Sequence, residues 1–329
     1  MSDGVGPEGD AGFEEDYRAL RHDVGAVVLG RDVLRVSGVD ALDYMQGQLS
    51  QDVAALEVGQ SADSLILTPQ GKLDALVRVT RTGPDELVVD VDGGFGAAVV
   101  ARLARFKLRV KVDIEPLAWR VVALRGPRAT SLAATRTGAG TSLALAYSWN
   151  GLSGVDLMGE APEIADVRVC SARAWESVRV EAGIPVMGAE LDERTIAAEA
   201  DLLDRAVSFT KGCYTGQELV ARLDSRGNRV ARHLRGLALG HPPRPAQATR
   251  TEIVAPGSDI VFDGKVVGSV TSSAWSPGLG CPVALGYVHR SVVPPSAVEV
   301  RAASPVAPGE GGAAGFAALS AEVRTLPLV

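Results

Sequence analysis

The octapeptide Lys211-Gly-Cys-Tyr-Thr-Gly-Gln-Glu218 holds one of only three cysteines in the chain. Its residue types allow thiol chemistry. A cysteine just ahead of a helix start meets free backbone amides and the positive end of the helix dipole. With Lys211 beside it, such a thiol is expected to have a lowered pKa and to need no histidine partner. A structural reading uses the same residues. Thr215-Gly-Gln-Glu218 fits the S/T-x-x-E capping box, with Thr215 as cap and Glu218 reaching back. Gly212 and Gly216 would then shape the turn, and Cys213 would be a small filler. Both readings predict a helix from about Leu219 that stops at Gly227-Asn228.

The other chemical residues are more scattered. Cys170 closes an apolar segment and Cys281 lies in a Gly-Leu-Gly-Cys-Pro turn, so both are read as structural. No Cys-x-x-Cys or Cys/His spacing suggests a metal site, and the four histidines are far apart. A basic cluster follows the octapeptide. Residues 205–235 carry seven cations against two anions, in a chain of net charge -7. A local excess against the global sign favours a polyanionic ligand over a merely solvated face. No aromatic residue lies among the arginines from Arg222 to Arg235, which speaks against a single-stranded nucleic-acid groove.

Periodicity supplies the elements around these residues. Strands are expected at 34–36, 64–68, 75–80, 86–90, 110–114 and 120–124, with helices at 39–56, 95–106 and 171–181. Residues 1–16 are acidic and Gly-rich and read as a tail. After about Arg235 only short strands punctuated by Gly and Pro occur, as in a barrel or sandwich. Residues 305–315 read as a loop between its last strands. The class is α+β. The organisation expected is a tail (1–16), a mixed region in two parts (17–235, dividing near 116–150) and an all-β unit (236–329).

Composition bounds the function. The chain is 46% hydrophobic and 22% charged, an ordinary globular balance, and its acidic charge argues against a general nucleic-acid surface. Without a basic-then-apolar leader or an apolar run of spanning length, a reduced cytoplasmic protein is expected, outside any membrane.

The octapeptide resembles the signature of the YgfZ-type folate-binding proteins, relatives of the glycine-cleavage T-protein. Arg179-Val-Glu-Ala-Gly-Ile-Pro185 and Thr195-Ile-Ala-Ala-Glu199-Ala resemble segments of the same family, as do Val36–Ala41 and two barrel pieces, Val267–Pro277 and Ala284–Val288. The resemblance spans about residues 17–329. It implies two α/β parts in a ring around a folate-sized hole, closed by a C-terminal barrel. It also implies tetrahydrofolate as cofactor, with Glu199 on the pterin ring, and support of iron–sulfur cluster assembly or repair in client enzymes, tRNA-modifying ones included. Cys213 would be the working thiol and Lys211 its positioning partner. Gly212, Tyr214, Gly216, Gln217 and Glu218 would complete the motif. Arg222 and Arg229 would meet a polyglutamylated tail. A monomer without direct tRNA binding is expected.

Two departures bear on activity. Ala197 stands where the family has proline. The acid that assists aminomethyl transfer falls, by ungapped matching, at Ala75 or Leu76, with Asp74 one or two positions off. A slip of one residue in a strand points a side chain to the other face. The enzyme reading, folate-dependent one-carbon transfer, is therefore the alternative, with Asp74, Asp90 and Glu199 as its acid/base candidates. A redox-sensing thiol without folate chemistry is the third reading.

Overall fold

A computed structural model describes residues 7–134, 142–164, 166–240, 254–301 and 318–329. The chain opens with α1 (Pro7–His22), β1 (Gly25–Leu29), β2 (Arg31–Ser37), α2 (Ala41–Gln48), β3 (Ser61–Leu67), β4 (Leu73–Gly83), β5 (Glu86–Asp92) and α3 (Gly96–Phe106). It continues through β6 (Asp113–Leu117), β7 (Arg120–Arg125), α4 (Ala129–Ala134), β8 (Leu143–Trp149), β9 (Leu152–Gly159), β10 (Arg168–Val169) and α5 (Ala172–Ala182). A 3-10 turn (Ala197–Ala200), α6 (Leu203–Ala206) and α7 (Gln217–Asp224) lead to β11 (Arg232–Leu239), β12 (Asp259–Phe262), β13 (Lys265–Ser276), β14 (Cys281–His289), β15 (Ser296–Arg301) and β16 (Leu319–Arg324).

These strands make two mixed α/β units and a barrel. The first sheet has the order β3-β4-β5-β2-β6 and is antiparallel throughout. The second has the order β10-β1-β7-β9-β8, with β1 parallel to β10. The chain therefore passes from the second sheet into the first at Gly30, and the two sheets meet there. The last six strands close a barrel in the order β11-β14-β13-β12-β15-β16. The 305–315 segment lies outside the described residues.

Residues 7–16 are a correction to the reading of the sequence: they are helix, not tail. Phe13, Tyr17 and Leu20 fall at helical spacing and are all buried. Each such burial stabilises by about 1.5–3 kcal/mol, enough to fix a helix whose composition looks disordered. The Arg179-x-Glu181 motif welds this helix to the rest. Glu181 accepts from Tyr17 (2.9 Å), Arg21 (2.6 Å) and Ser276 of the barrel (2.5 Å). Arg179 donates to Glu176 (2.6 Å), Glu190 (3.0 Å), Ile184 O (2.7 Å) and Ser272 (2.6 Å). Ser171 caps the start of α5, and Gly183 ends it in the left-handed conformation at φ 69°.

Candidate functional site

Cys213 lies exposed on a loop, 208–216, that is fastened at several points. Lys211 turns away from the thiol. Its Nζ donates to Gln46 O (2.6 Å), Leu49 O (2.7 Å) and Gln51 O (2.9 Å), the carbonyls at the C-terminal end of α2. That end carries the negative pole of the helix, where a cation is favoured. Burial lowers the Lys211 pKa to about 8, with Asp52 acting in the opposite sense. Thr215 N donates to Gly47 O at 3.2 Å, and Ser208 N to Ser50 O at 3.0 Å. Tyr214 is half-buried, its ring 5.2 Å from the Lys211 ammonium, and burial pushes its pKa up to about 12. The loop is thus clamped to α2 while the thiol stays in solvent.

The capping box read from the sequence does not form. Gly216, at φ 83°, is the N-cap of α7 and no side chain caps that helix. Only glycine fits there: a Cβ at Gly216 would stand 2.4 Å from Thr68 O. Gln217 folds back instead, its Oε1 accepting from Tyr214 N at 3.1 Å. Glu218 and Gly212 are exposed. Lys211 is accordingly an anchor of the loop. Lys211→Ala would leave three carbonyls without their donor. It should destabilise the protein by about 2–3 kcal/mol and raise the hydrogen exchange of residues 208–216; thermal melts together with exchange mass spectrometry would read both.

The basic cluster divides. Arg205 pairs with Asp63 at 2.8 Å and covers the Trp149 ring at 4.0 Å. Arg232 pairs with Glu199 at 3.0 Å and covers Tyr287 at 4.3 Å. Arg235 is half-buried in β11, where burial lowers its pKa. Arg222, Arg226 and Arg229 are exposed on and after α7. Glu199 lies in the 3-10 turn, with Arg232 and the Ile196 amide as its partners. That turn packs against α7, and Thr195 O accepts from Leu73 N of β4 at 3.0 Å. The loop that carries alanine at 197 thus still reaches the first sheet.

A separate cavity of about 400 Å³ opens where the two sheets meet. β1, Gly30, β4, α5 and residues 184–187 wall it, with Tyr147, Trp149 and Trp175 as aromatic sides. Neither the Cys213 loop nor Glu199, Arg222 or Arg229 lines it. Five of its charged residues are linked in one chain through Asp90. Arg31 binds Asp90 and Asp92, Arg78 bridges Asp90 (2.9 Å) and Asp156 (2.5 Å), and Asp156 binds Arg125 (2.6 Å). Burial would raise the Asp156 pKa, but the Arg125 and Arg78 guanidiniums outweigh it and hold the group at about 2. Asp63 also lines the cavity; burial raises its pKa against the opposing pull of Arg205.

The sequence reading did not find this chain of charges. Its signal is arginine within otherwise apolar strands: Arg78 in Leu76-Val-Arg-Val79 and Arg125 ending Val121-Val-Ala-Leu-Arg125. A charge placed so must be paired. Asp74 is elsewhere: it binds Arg102 at 2.9 Å and does not line the cavity, and Ala75 is buried. Cys170 is buried and its thiol is pushed up to about 11 by that burial; Cys281 is half-buried and shifted the same way.

The fold is that of the aminomethyltransferase T-protein. The structure superposes on the glycine cleavage system aminomethyltransferase T from Bartonella henselae with a TM-score of 0.77, at 22% identity, over 96% of this chain and 89% of that one. Residues 232–309 match the model of the glycine cleavage T-protein C-terminal barrel domain. In sequence the chain is similar to the aminomethyltransferase of Nostoc sp., at 26% identity over 88% of this chain and 84% of the relative. It is similar to the aminomethyltransferase of Thermus thermophilus at 28%, over 87% and 86%. An uncharacterized protein of Haemophilus influenzae is 25% identical over 59% of this chain and 66% of its own length. Among the described residues, no helix is long and apolar enough to cross a membrane.

Proposed function

We propose that the chain binds tetrahydrofolate in the cavity between its sheets and uses Cys213 to support assembly or repair of iron–sulfur clusters in client enzymes, tRNA-modifying ones included. One observation carries the second half of this reading: an exposed thiol presented on a loop clamped by Lys211. The cluster is cargo. A single accessible thiol supplies one ligand or one nucleophile, not the four thiolates of a resident cluster. The cavity suits a folate ring in its size, its aromatic walls and its polar lining groups. The client, the cytoplasmic setting and the monomeric state belong to the same reading.

One-carbon transfer is the second reading, and the curated relatives named aminomethyltransferase favour it. Chemistry at a folate nitrogen needs an acid or base able to change its protonation beside it. The acids lining this cavity are ion-paired: Asp63 to Arg205, Asp92 to Arg31, Asp156 to two arginines and Glu176 to Arg179. That arrangement suits holding a ligand better than turning it over. Calorimetric titration with tetrahydrofolate should give a micromolar or tighter Kd, and the triglutamate form should bind more tightly only at low salt, where the exposed Arg222 and Arg229 act. Absence of binding would sink the folate reading. Turnover of an aminomethyl donor by the purified protein would replace it with the enzyme.

A further inference from the structure

Arg125 has an edge that no described group uses. Its side chain is fully buried at the end of β7. Nη1 donates to Asp156 (2.6 Å) and to Leu124 O (3.1 Å). Nε and Nη2 have no hydrogen-bond partner. The Tyr147 ring covers the guanidinium at 3.6 Å, and the Trp175 ring lies 5.5 Å away. Gly154 makes room for it: a Cβ there would stand 2.1 Å from Leu124 O and 3.1 Å from Arg125 Nη1. Arg125, Tyr147 and Trp175 all line the cavity.

Buried donors on a cation are costly to leave unpaired. The neighbouring cations are matched: Arg31 by Asp90 and Asp92, Arg78 by Asp90 and Asp156, Arg205 by Asp63. Arg125 lines the cavity, so a ligand held there is the available source of further acceptors. Nε and Nη2 form the side-on fork of the guanidinium, two parallel donors suited to two acceptors lying side by side in one plane. With Tyr147 over its face, the guanidinium meets a partner edge-on.

We propose that this fork reads a carbonyl oxygen and the ring nitrogen beside it along one edge of a heterocycle held in the cavity. The proposal rests on the folate reading, in which that edge is the pterin C4 oxygen beside N5. It is the pattern by which arginine reads the O6 and N7 of guanine. Asp156 is the positioning residue: tied to Arg78 on one side, it fixes the plane of the fork. A cation on N5 also draws on the lone pair to which one-carbon groups attach, so the same contact holds the ring and discourages transfer from it.

A carboxylate offers the same pair of acceptors, and folate has carboxylates on its tail, so the probes must separate ring from tail. Wild-type protein would be titrated anaerobically with three ligands, following tryptophan fluorescence, to which Trp149 and Trp175 contribute from the cavity wall. These are tetrahydrofolate, its 4-amino counterpart tetrahydroaminopterin, and p-aminobenzoylglutamate, the tail without the ring. An amino group at C4 turns donors against donors, and about 100-fold weaker binding of the 4-amino compound is expected. The tail alone should not compete. Equal affinity for the first two ligands overturns the proposal and leaves folate binding standing, as does a tail fragment that competes like the whole molecule. No binding of tetrahydrofolate at all overturns the folate reading and this inference with it. In Arg125→Lys, which keeps the charge and loses the fork, discrimination should fall below about fivefold. Circular dichroism checks its fold, and the wild-type comparison stands without it.

Discussion

Cys213→Ala should leave the protein folded and folate-binding yet abolish iron–sulfur-dependent tRNA thiolation in cells that lack the wild-type gene. The physical basis is the separation of the thiol from everything that holds the fold. Cys213 is exposed, and the contacts fastening its loop come from Lys211, Thr215, Tyr214 and Gln217. Removing one sulfur from such a position changes stability by less than about 0.5 kcal/mol. Thiolated nucleoside should drop to the empty-vector level at equal protein abundance, with Tm and tetrahydrofolate affinity unchanged. Restored thiolation in the mutant would make Cys213 a filler on a clamped turn and move attention to the cavity. The Lys211→Ala variant sharpens the comparison. It should lose activity together with loop order, whereas Cys213→Ala should lose activity alone.

Local pattern carried the strands and helices that stand on their own periodicity. The helix read at 95–106 is α3, the one read at 171–181 is α5 ending at Gly183, and the short strands after Arg235 close into the barrel. The first helix escaped because its acidic, Gly-containing start hides three apolar residues whose partners lie on other elements. The helix read at 39–56 stops at Gln48, where the chain turns and Lys211, more than 160 residues on, takes up its last carbonyls. The candidate site divided in the same way. The turn glycine at 216 is legible in local sequence, and the backbone there admits only glycine. The direction of Lys211, the partner of Glu199 and the ion chain through the cavity depend on residues far apart in the chain. No spacing rule brings Arg78 to Asp156 or Arg232 to Glu199. Ungapped matching puts Asp74 one or two positions from the expected acid's place; in the structure it pairs with Arg102 and does not line the cavity.

Asp156→Asn should be the most damaging single polar substitution in the protein. Asp156 is buried between Arg78 (2.5 Å) and Arg125 (2.6 Å), and its two oxygens serve one guanidinium each. An amide keeps the shape but removes the charge and turns an NH2 toward one of the arginines. Breaking a buried ion pair from one side costs about 3–5 kcal/mol, and urea unfolding at pH 7 should show a loss of that size in the first transition. The pH dependence has a definite sign. The folded pKa of Asp156 is held at about 2, below the value of about 3.9 in an unfolded chain. Its contribution is therefore complete above about pH 4 and lost as pH falls through about 2. In Asp156→Asn that part of the acid limb should disappear, leaving a flatter profile between about pH 4 and 2. A loss under about 1 kcal/mol with an unchanged acid limb would mean the two arginines find other acceptors, and the fork of Arg125 would then have no fixed plane. If the loss is as large as expected, the fourfold replacement Arg78→Met, Asp90→Leu, Arg125→Leu, Asp156→Leu becomes informative, with Arg31 keeping Asp92. Apolar groups of similar size can replace a buried ion cluster at little or no cost. Such a protein should regain stability while losing tetrahydrofolate, because the charges in the cavity wall would then be kept for the ligand and not for the fold.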